Sequence, residues 1–104
     1  METANAKLVT VVLPFGAADR LMNDLKDLGA SGFTTVQANG FGRSGTRTFG
    51  LIEGANVRVE SIVDDTLCRR ILEHLEMHYA HTDLVAHVHD VEAIPREHFA
   101  PRAG

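Results

Sequence analysis

A single cysteine, Cys68, in a chain of 104 residues excludes an intrachain disulfide and any cysteine-based zinc cluster. It reads as a small buried hydrophobe. Tryptophan is absent and tyrosine occurs once, against five phenylalanines, so there is little of the aromatic content that single-stranded nucleic acid would stack on. Positive charge is also short: 10 Lys and Arg against 14 Asp and Glu leave a net charge of −4. That balance disfavours DNA, RNA and anionic membrane as default partners. Apolar runs such as residues 9–15 are too short to span a bilayer, and no basic-then-apolar leader opens the chain. A cytoplasmic protein with no direct membrane insertion is expected. No linker, repeat or low-complexity segment breaks the sequence, so one domain over 1–104 is expected, with a core small enough that oligomerisation would help.

What is present has a regular order. Residues 7–13 are rich in β-branched side chains and end at Pro14, the pattern of a strand bounded by a turn. Residues 17–28 place Leu21, Met22, Leu25 and Leu28 on one helical face opposite Arg20, Asp24 and Lys26, and Gly29 ends the run. A second strand is expected over 32–38, followed by a loop to about residue 55. In 56–63, Val57, Val59 and Val63 alternate with Arg58 and Glu60, as in a half-buried strand. Asp64 and Asp65 then open a helix carrying Leu67, Cys68, Ile71, Leu72, Leu75 and Tyr79 at helical spacing, and 84–88 reads as the last strand. The order β-α-β-β-α-β predicts an α+β, ferredoxin-like domain: a four-stranded antiparallel sheet with two helices on one face. Its other face also carries apolar residues, and a subunit interface is expected to cover it.

Chemistry concentrates in Asn39-Gly40-Phe41-Gly42-Arg43-Ser44-Gly45. Three glycines let backbone amides approach a ligand, and Arg43 adds a forked cation, a combination suited to phosphate or carboxylate. The same glycines also suit an ordinary hairpin. Nothing indicates an enzyme: there is no nucleophile elbow and no Walker lysine, and the adjacent Asp64 and Asp65 are read as first-turn charges. His74, His78 and His81 have near-helical spacing, and His87 and His89 share a strand face. Without a cysteine or a matched carboxylate they are read as structural or solvated, and no metal is assigned.

Several runs in order carry a resemblance across nearly the whole chain. Val12-Leu13-Pro14-Phe15, Leu28-Gly29-Ala30-Ser31-Gly32-Phe33-Thr34, Gly40-Phe41-Gly42-Arg43-x-Gly45, Val57-Arg58-Val59-Glu60 and the closing Asp90-Val91 to Arg96 resemble the PII signalling proteins. The resemblance implies a homotrimer that binds adenine nucleotide between subunits and changes the shape of a T-loop, here about 40–55, to engage a protein target. It implies Thr34 near the adenine, Gly40, Gly42, Arg43 and Gly45 near the phosphates, Arg96 reaching them from a C-terminal segment of about 91–104, and Phe41 and Arg47 as further nucleotide-binding candidates. Departures direct it further. The Gly-Asp-Gly-Lys B-loop of nitrogen-sensing members is replaced by Tyr79-Ala80-His81-Thr82-Asp83-Leu84, the glutamine linked to 2-oxoglutarate by Ser44, and the T-loop is shorter and lacks tyrosine. With fewer cations to neutralise a triphosphate, ADP or AMP matches better than ATP. These changes resemble the PII-like branch of carboxysome-associated and bicarbonate-transporter-associated proteins, which implies bicarbonate held by Gly42, Arg43 and Ser44. Alternatives from other classes are a CutA-like trimeric metal-binding protein, a nitrogen-regulatory PII protein sensing ATP and 2-oxoglutarate, and a ferredoxin-like nucleic-acid module, which the net charge disfavours.

Overall fold

Strand and helix meet at Pro14 without a turn between them. The proline ring fixes φ at −61°, and with ψ at 146° Pro14 is still extended, so it closes β1 (Ala4–Pro14) and serves as N-cap of α1 (Phe15–Leu28). The computed structural model describes residues 1–38, 40–42, 45–47 and 56–99, of which 40–42 and 45–47 by their backbone alone. Gly29 ends α1 in the left-handed region, φ 113°, and its N–H donates to the carbonyls of Leu25 and Lys26. After β2 (Thr34–Ala38) come two short strands, β3 (Gly40–Gly42) and β4 (Gly45–Arg47), then β5 (Asn56–Val63), α2 (Asp65–His78), β6 (Val85–Ala93) and a single-turn helix α3 (Arg96–Phe99).

Four strands form one antiparallel sheet in the order β2-β5-β1-β6, the ferredoxin-like arrangement expected from the sequence. β1 is central because it is the longest strand and pairs on both sides, from Lys7 opposite Val63 to Pro14 opposite Asn56, and from Ala4 opposite Ala93 to Val12 opposite Val85. Its length also explains two differences from the sequence reading. β1 begins at Ala4 rather than Lys7, and β6 runs to Ala93 rather than Val88, since each extension supplies the other's hydrogen-bond partners. The expected loop after β2 contains the β3–β4 hairpin, in which Gly42 lies opposite Gly45.

Because alternate residues of a strand face opposite ways, the register sorts the side chains into two layers. Val9, Val11 and Leu13 of β1 and Val57, Val59 and Val63 of β5 meet Ala18, Leu21 and Leu25 of α1 and Cys68, Ile71 and Leu75 of α2 in the buried core. Each fully buried Leu or Ile there contributes on the order of 1.5–3 kcal/mol of transfer free energy. Asp64 caps α2, its carboxylate accepting from the Leu67 N–H at 2.7 Å. At the same end Lys7 reaches Asp90 and lies 4.0 Å from Asp65, joining β1, β6 and α2.

The opposite face carries Leu8, Thr10 and Val12 of β1, Arg58, Glu60 and Ile62 of β5, Thr34 and Val36 of β2, and Val85, His87 and His89 of β6. No helix as long as α1 or α2 covers it among the described residues. α3 packs beside the start of β1, where Ala4, Ala6 and Ala93 are buried.

Candidate functional site

A cavity of about 670 Å³ opens on the sheet face away from α1 and α2. Its floor is Thr34 opposite Glu60, together with the next row, Leu8 opposite Ile62. Ser31, Gly32 and Phe33, the segment leading into β2, form one wall, and Glu97, His98 and Phe99 of α3 form another. The first wall is fixed by β5, because the Ser61 hydroxyl donates to the Gly32 carbonyl at 2.6 Å. Lys26 Nζ lies 5.8 Å from the Phe33 ring centre and holds it toward α1. Glu60 is set from both sides: Thr10 Oγ1 donates to Oε2 at 3.2 Å and Arg58 Nε lies 3.7 Å from Oε1.

The chemistry of this lining is specific. Glu60 and Glu97 are acceptors that repel an anion, whereas the hydroxyls of Ser31 and Thr34 and the rings of Phe33, His98 and Phe99 suit a flat polar group with N–H or O–H donors. An amino-bearing aromatic base with sugar hydroxyls satisfies it; a phosphate requires cations from elsewhere.

Of the residues singled out in the sequence, Thr34 lies on this cavity. Arg96 opens α3 beside it, with Nη1 3.6 Å from Glu2 Oε1, and the three residues that follow it line the cavity. Gly40, Phe41, Gly42, Gly45 and Arg47 lie in the β3–β4 hairpin, with Gly40 opposite Arg47 and Phe41 opposite Thr46, and none is among the cavity's described lining. Arg43 and Ser44 lie outside the described residues. Sequence reasoning missed Glu60, Ile62, His98 and Phe99 as cavity residues. The open-face alternation in 56–63 was the available signal for the first two; nothing local signals that α3 returns over β1.

The segment standing where the B-loop was placed is anchored at its base. Tyr79, the C-cap of α2, donates its hydroxyl to Asp24 Oδ2 of α1 at 2.7 Å, and His74 Nε2 lies 2.8 Å from the same oxygen. The Arg20 guanidinium stacks 4.5 Å from the Tyr79 ring centre and donates to the His78 carbonyl at 3.3 Å. Burial pushes the Asp24 carboxyl up, but the hydrogen bonds from Tyr79 and His74 outweigh it and hold it below the ordinary aspartate value. Burial and the Asp24 carboxylate both push the Tyr79 hydroxyl far up, so it stays a donor. From this base the chain turns, with Thr82 N–H donating to the Tyr79 carbonyl at 2.9 Å, before entering β6. Among the described residues no three His, Cys, Asp or Glu side chains form a metal-holding group, and no helix is long and apolar enough to cross a membrane.

Comparison with known proteins accords with this architecture. The family model described as nitrogen regulatory protein P-II matches residues 6–98. A PII-like signaling protein from Thermus thermophilus is 36% identical, with 96% of this chain and 100% of that one covered and a TM-score of 0.84. CPII from Thiomonas intermedia, whose structure holds ADP and bicarbonate, is 22% identical, with 88% and 91% covered and a TM-score of 0.80. A DUF3240 family protein from Shewanella baltica is 20% identical, with 88% and 92% covered and a TM-score of 0.69. At such identities the last two speak to the fold alone. No curated protein matches the chain in sequence.

Proposed function

The chain belongs to the nitrogen regulatory protein P-II family, in its PII-like branch, and on that premise we propose that it is a non-enzymatic regulator that binds ADP or AMP, and ATP less readily, between the subunits of a homotrimer. Bicarbonate is its second ligand, at Gly42, Arg43 and Ser44, and the T-loop of about 40–55 is the output. The target is a bicarbonate transporter or a carboxysome component, and the protein acts in the cytoplasm or at the carboxysome.

The observation that carries this reading is the cavity on the uncovered face, where Thr34 meets Glu60 and α3. Its acceptor-rich lining suits the base and ribose, and its carboxylates turn the phosphates outward toward arginines. Arg96 begins the helix forming one wall, and Arg43 and Arg47 lie on the chain segment that follows β2. Guanidinium groups and glycine amides are the donors that phosphate and bicarbonate oxygens require. Both outer strands, β2 and β6, bear exposed apolar side chains on the open face, Val36 at 41% and Val85 at 56%, which suits coverage by neighbouring copies. CPII, which shares this fold, was solved with ADP and bicarbonate, and the same pair of ligands is the one proposed here.

Calorimetry on the purified protein tests the reading. ADP and AMP bind, bicarbonate binds with or without ADP, and 2-oxoglutarate gives no heat. Arg43→Ala weakens nucleotide by roughly 10- to 100-fold, the loss of one or two charge-assisted hydrogen bonds. The reading fails if bicarbonate is silent under both conditions and Arg43→Ala leaves nucleotide affinity unchanged.

A further inference from the structure

The sheet row next to the cavity floor contains a single charge. Val36 of β2, Arg58 of β5, Val12 of β1 and Val85 of β6 stand side by side across all four strands, on the face away from α1 and α2. Val36 and Val85 are the apolar side chains that neighbouring copies cover in the assembly proposed above, so Arg58 belongs to a seam between subunits rather than to open solvent. A guanidinium there keeps its charge, and a charge withdrawn from water needs an anionic partner.

Glu60 meets that need only in part. Arg58 Nε stands 3.7 Å from Glu60 Oε1, an ion-pair separation beyond hydrogen-bond range, while the other carboxylate oxygen accepts from Thr10 at 3.2 Å. Among the described residues no acceptor is hydrogen-bonded to the guanidinium. The cavity, meanwhile, is walled at one end. Residues 31–33 precede Thr34 at the start of β2, and α3 packs beside the start of β1, so both walls rise near Leu8 and Ile62. Toward Val12 and Arg58 the described lining supplies no wall. A nucleoside seated between the walls therefore extends its sugar over the Arg58 row, since alternate residues of a strand are about 7 Å apart, roughly the span of one ribose.

We propose that Arg58 grips the sugar-bound phosphate of the nucleotide, and that Glu60 holds its place as a stand-in anion when no nucleotide is bound. On binding, the phosphate takes the guanidinium as a forked, charge-assisted pair. Glu60 Oε1 is thereby released to accept from a ribose hydroxyl. The exchange keeps both charges partnered throughout, and it gives the cavity a preference for nucleotide over nucleoside. This inference rests on the nucleotide reading of the cavity.

Calorimetry with AMP and with adenosine on the full chain tests it. Arg58→Gln weakens AMP by roughly 10- to 100-fold, the loss of one or two charge-assisted hydrogen bonds, and does not weaken adenosine. Arg58→Lys keeps the charge without the fork and recovers part of the loss. Circular dichroism verifies the fold of each variant and light scattering its assembly; should Arg58→Gln dissociate, Arg58→Lys carries the comparison, with AMP weakened and adenosine retained. A ratio of AMP to adenosine affinity that these substitutions leave unchanged assigns Arg58 to the subunit contact alone and overturns the inference. Silence of the wild type toward both AMP and ADP instead defeats the nucleotide reading on which it rests.

Discussion

Replacing Tyr79 by Phe removes one hydroxyl and leaves the ring in place. The ring is buried, so no cavity opens, and the Arg20 guanidinium 4.5 Å from its centre retains a face to stack on. What disappears is the 2.7 Å hydrogen bond to Asp24 Oδ2 that ties the end of α2 to α1. A hydrogen bond to a charged group is worth about 1.5–3 kcal/mol. Asp24 keeps His74 at 2.8 Å and its side chain is 22% exposed, so water replaces part of the loss and about 1.5–2 kcal/mol is expected. The pH dependence follows from both partners. The folded Asp24 carboxyl titrates below its ordinary value of 3.8, so its contribution is fully present above pH 3.8 and is lost as pH falls through the folded value. The Tyr79 hydroxyl titrates above its ordinary value of 10.0, so its contribution is present below pH 10.0 and fades only as pH rises toward the folded value. The difference between wild type and Tyr79→Phe is therefore flat across the neutral range and shrinks in acid. Urea unfolding followed by circular dichroism, at one protomer concentration because subunit association adds to stability, measures it. A neutral-pH penalty below about 0.5 kcal/mol, or one undiminished near pH 3, refutes the argument.

Gly29→Ala forces a side chain into φ 113°, and since nothing lies within 4 Å of the added carbon the cost is backbone strain alone, about 1–2 kcal/mol in thermal or chemical unfolding. Asp64→Ala removes the cap on the Leu67 N–H and lowers stability by about 1 kcal/mol, whereas Asp64→Ser restores most of it. Ser61→Ala frees the Gly32 carbonyl from its 2.6 Å bond, which costs about 1 kcal/mol and loosens one cavity wall, so ADP affinity in calorimetry falls while bicarbonate binding stays.

The outline of the domain was legible because each main element repeats its own period. Leu21 and Leu25 return every fourth residue, Val57 and Val59 every second, and Gly29 and Asp64 mark helix ends by chemistry that needs no distant partner. The strand ends were less legible. Ala4 to Ala6 and Val91 to Ala93 are strand because they pair with each other across more than eighty positions, and no local pattern announces such a partner. Thr34 is placed at the site by resemblance and lines the cavity; Arg43 and Ser44 rest on that resemblance alone, since they lie outside the described residues.

By itself the sequence determined the β-α-β-β-α-β order, the apolar face of each helix, the exclusion of an intrachain disulfide and the family, since all of these are local patterns, composition or ordered motifs along the chain. Tertiary structure alone decided that Glu60, Thr34 and α3 enclose one cavity, that Asp24, His74 and Tyr79 form a clamp between two helices, and that Arg58 stands beside the cavity in a row of valines. The reason is physical: hydrogen bonds and ring contacts act over a few ångströms, and which side chains come within that range is set by sheet register and helix packing across tens of residues.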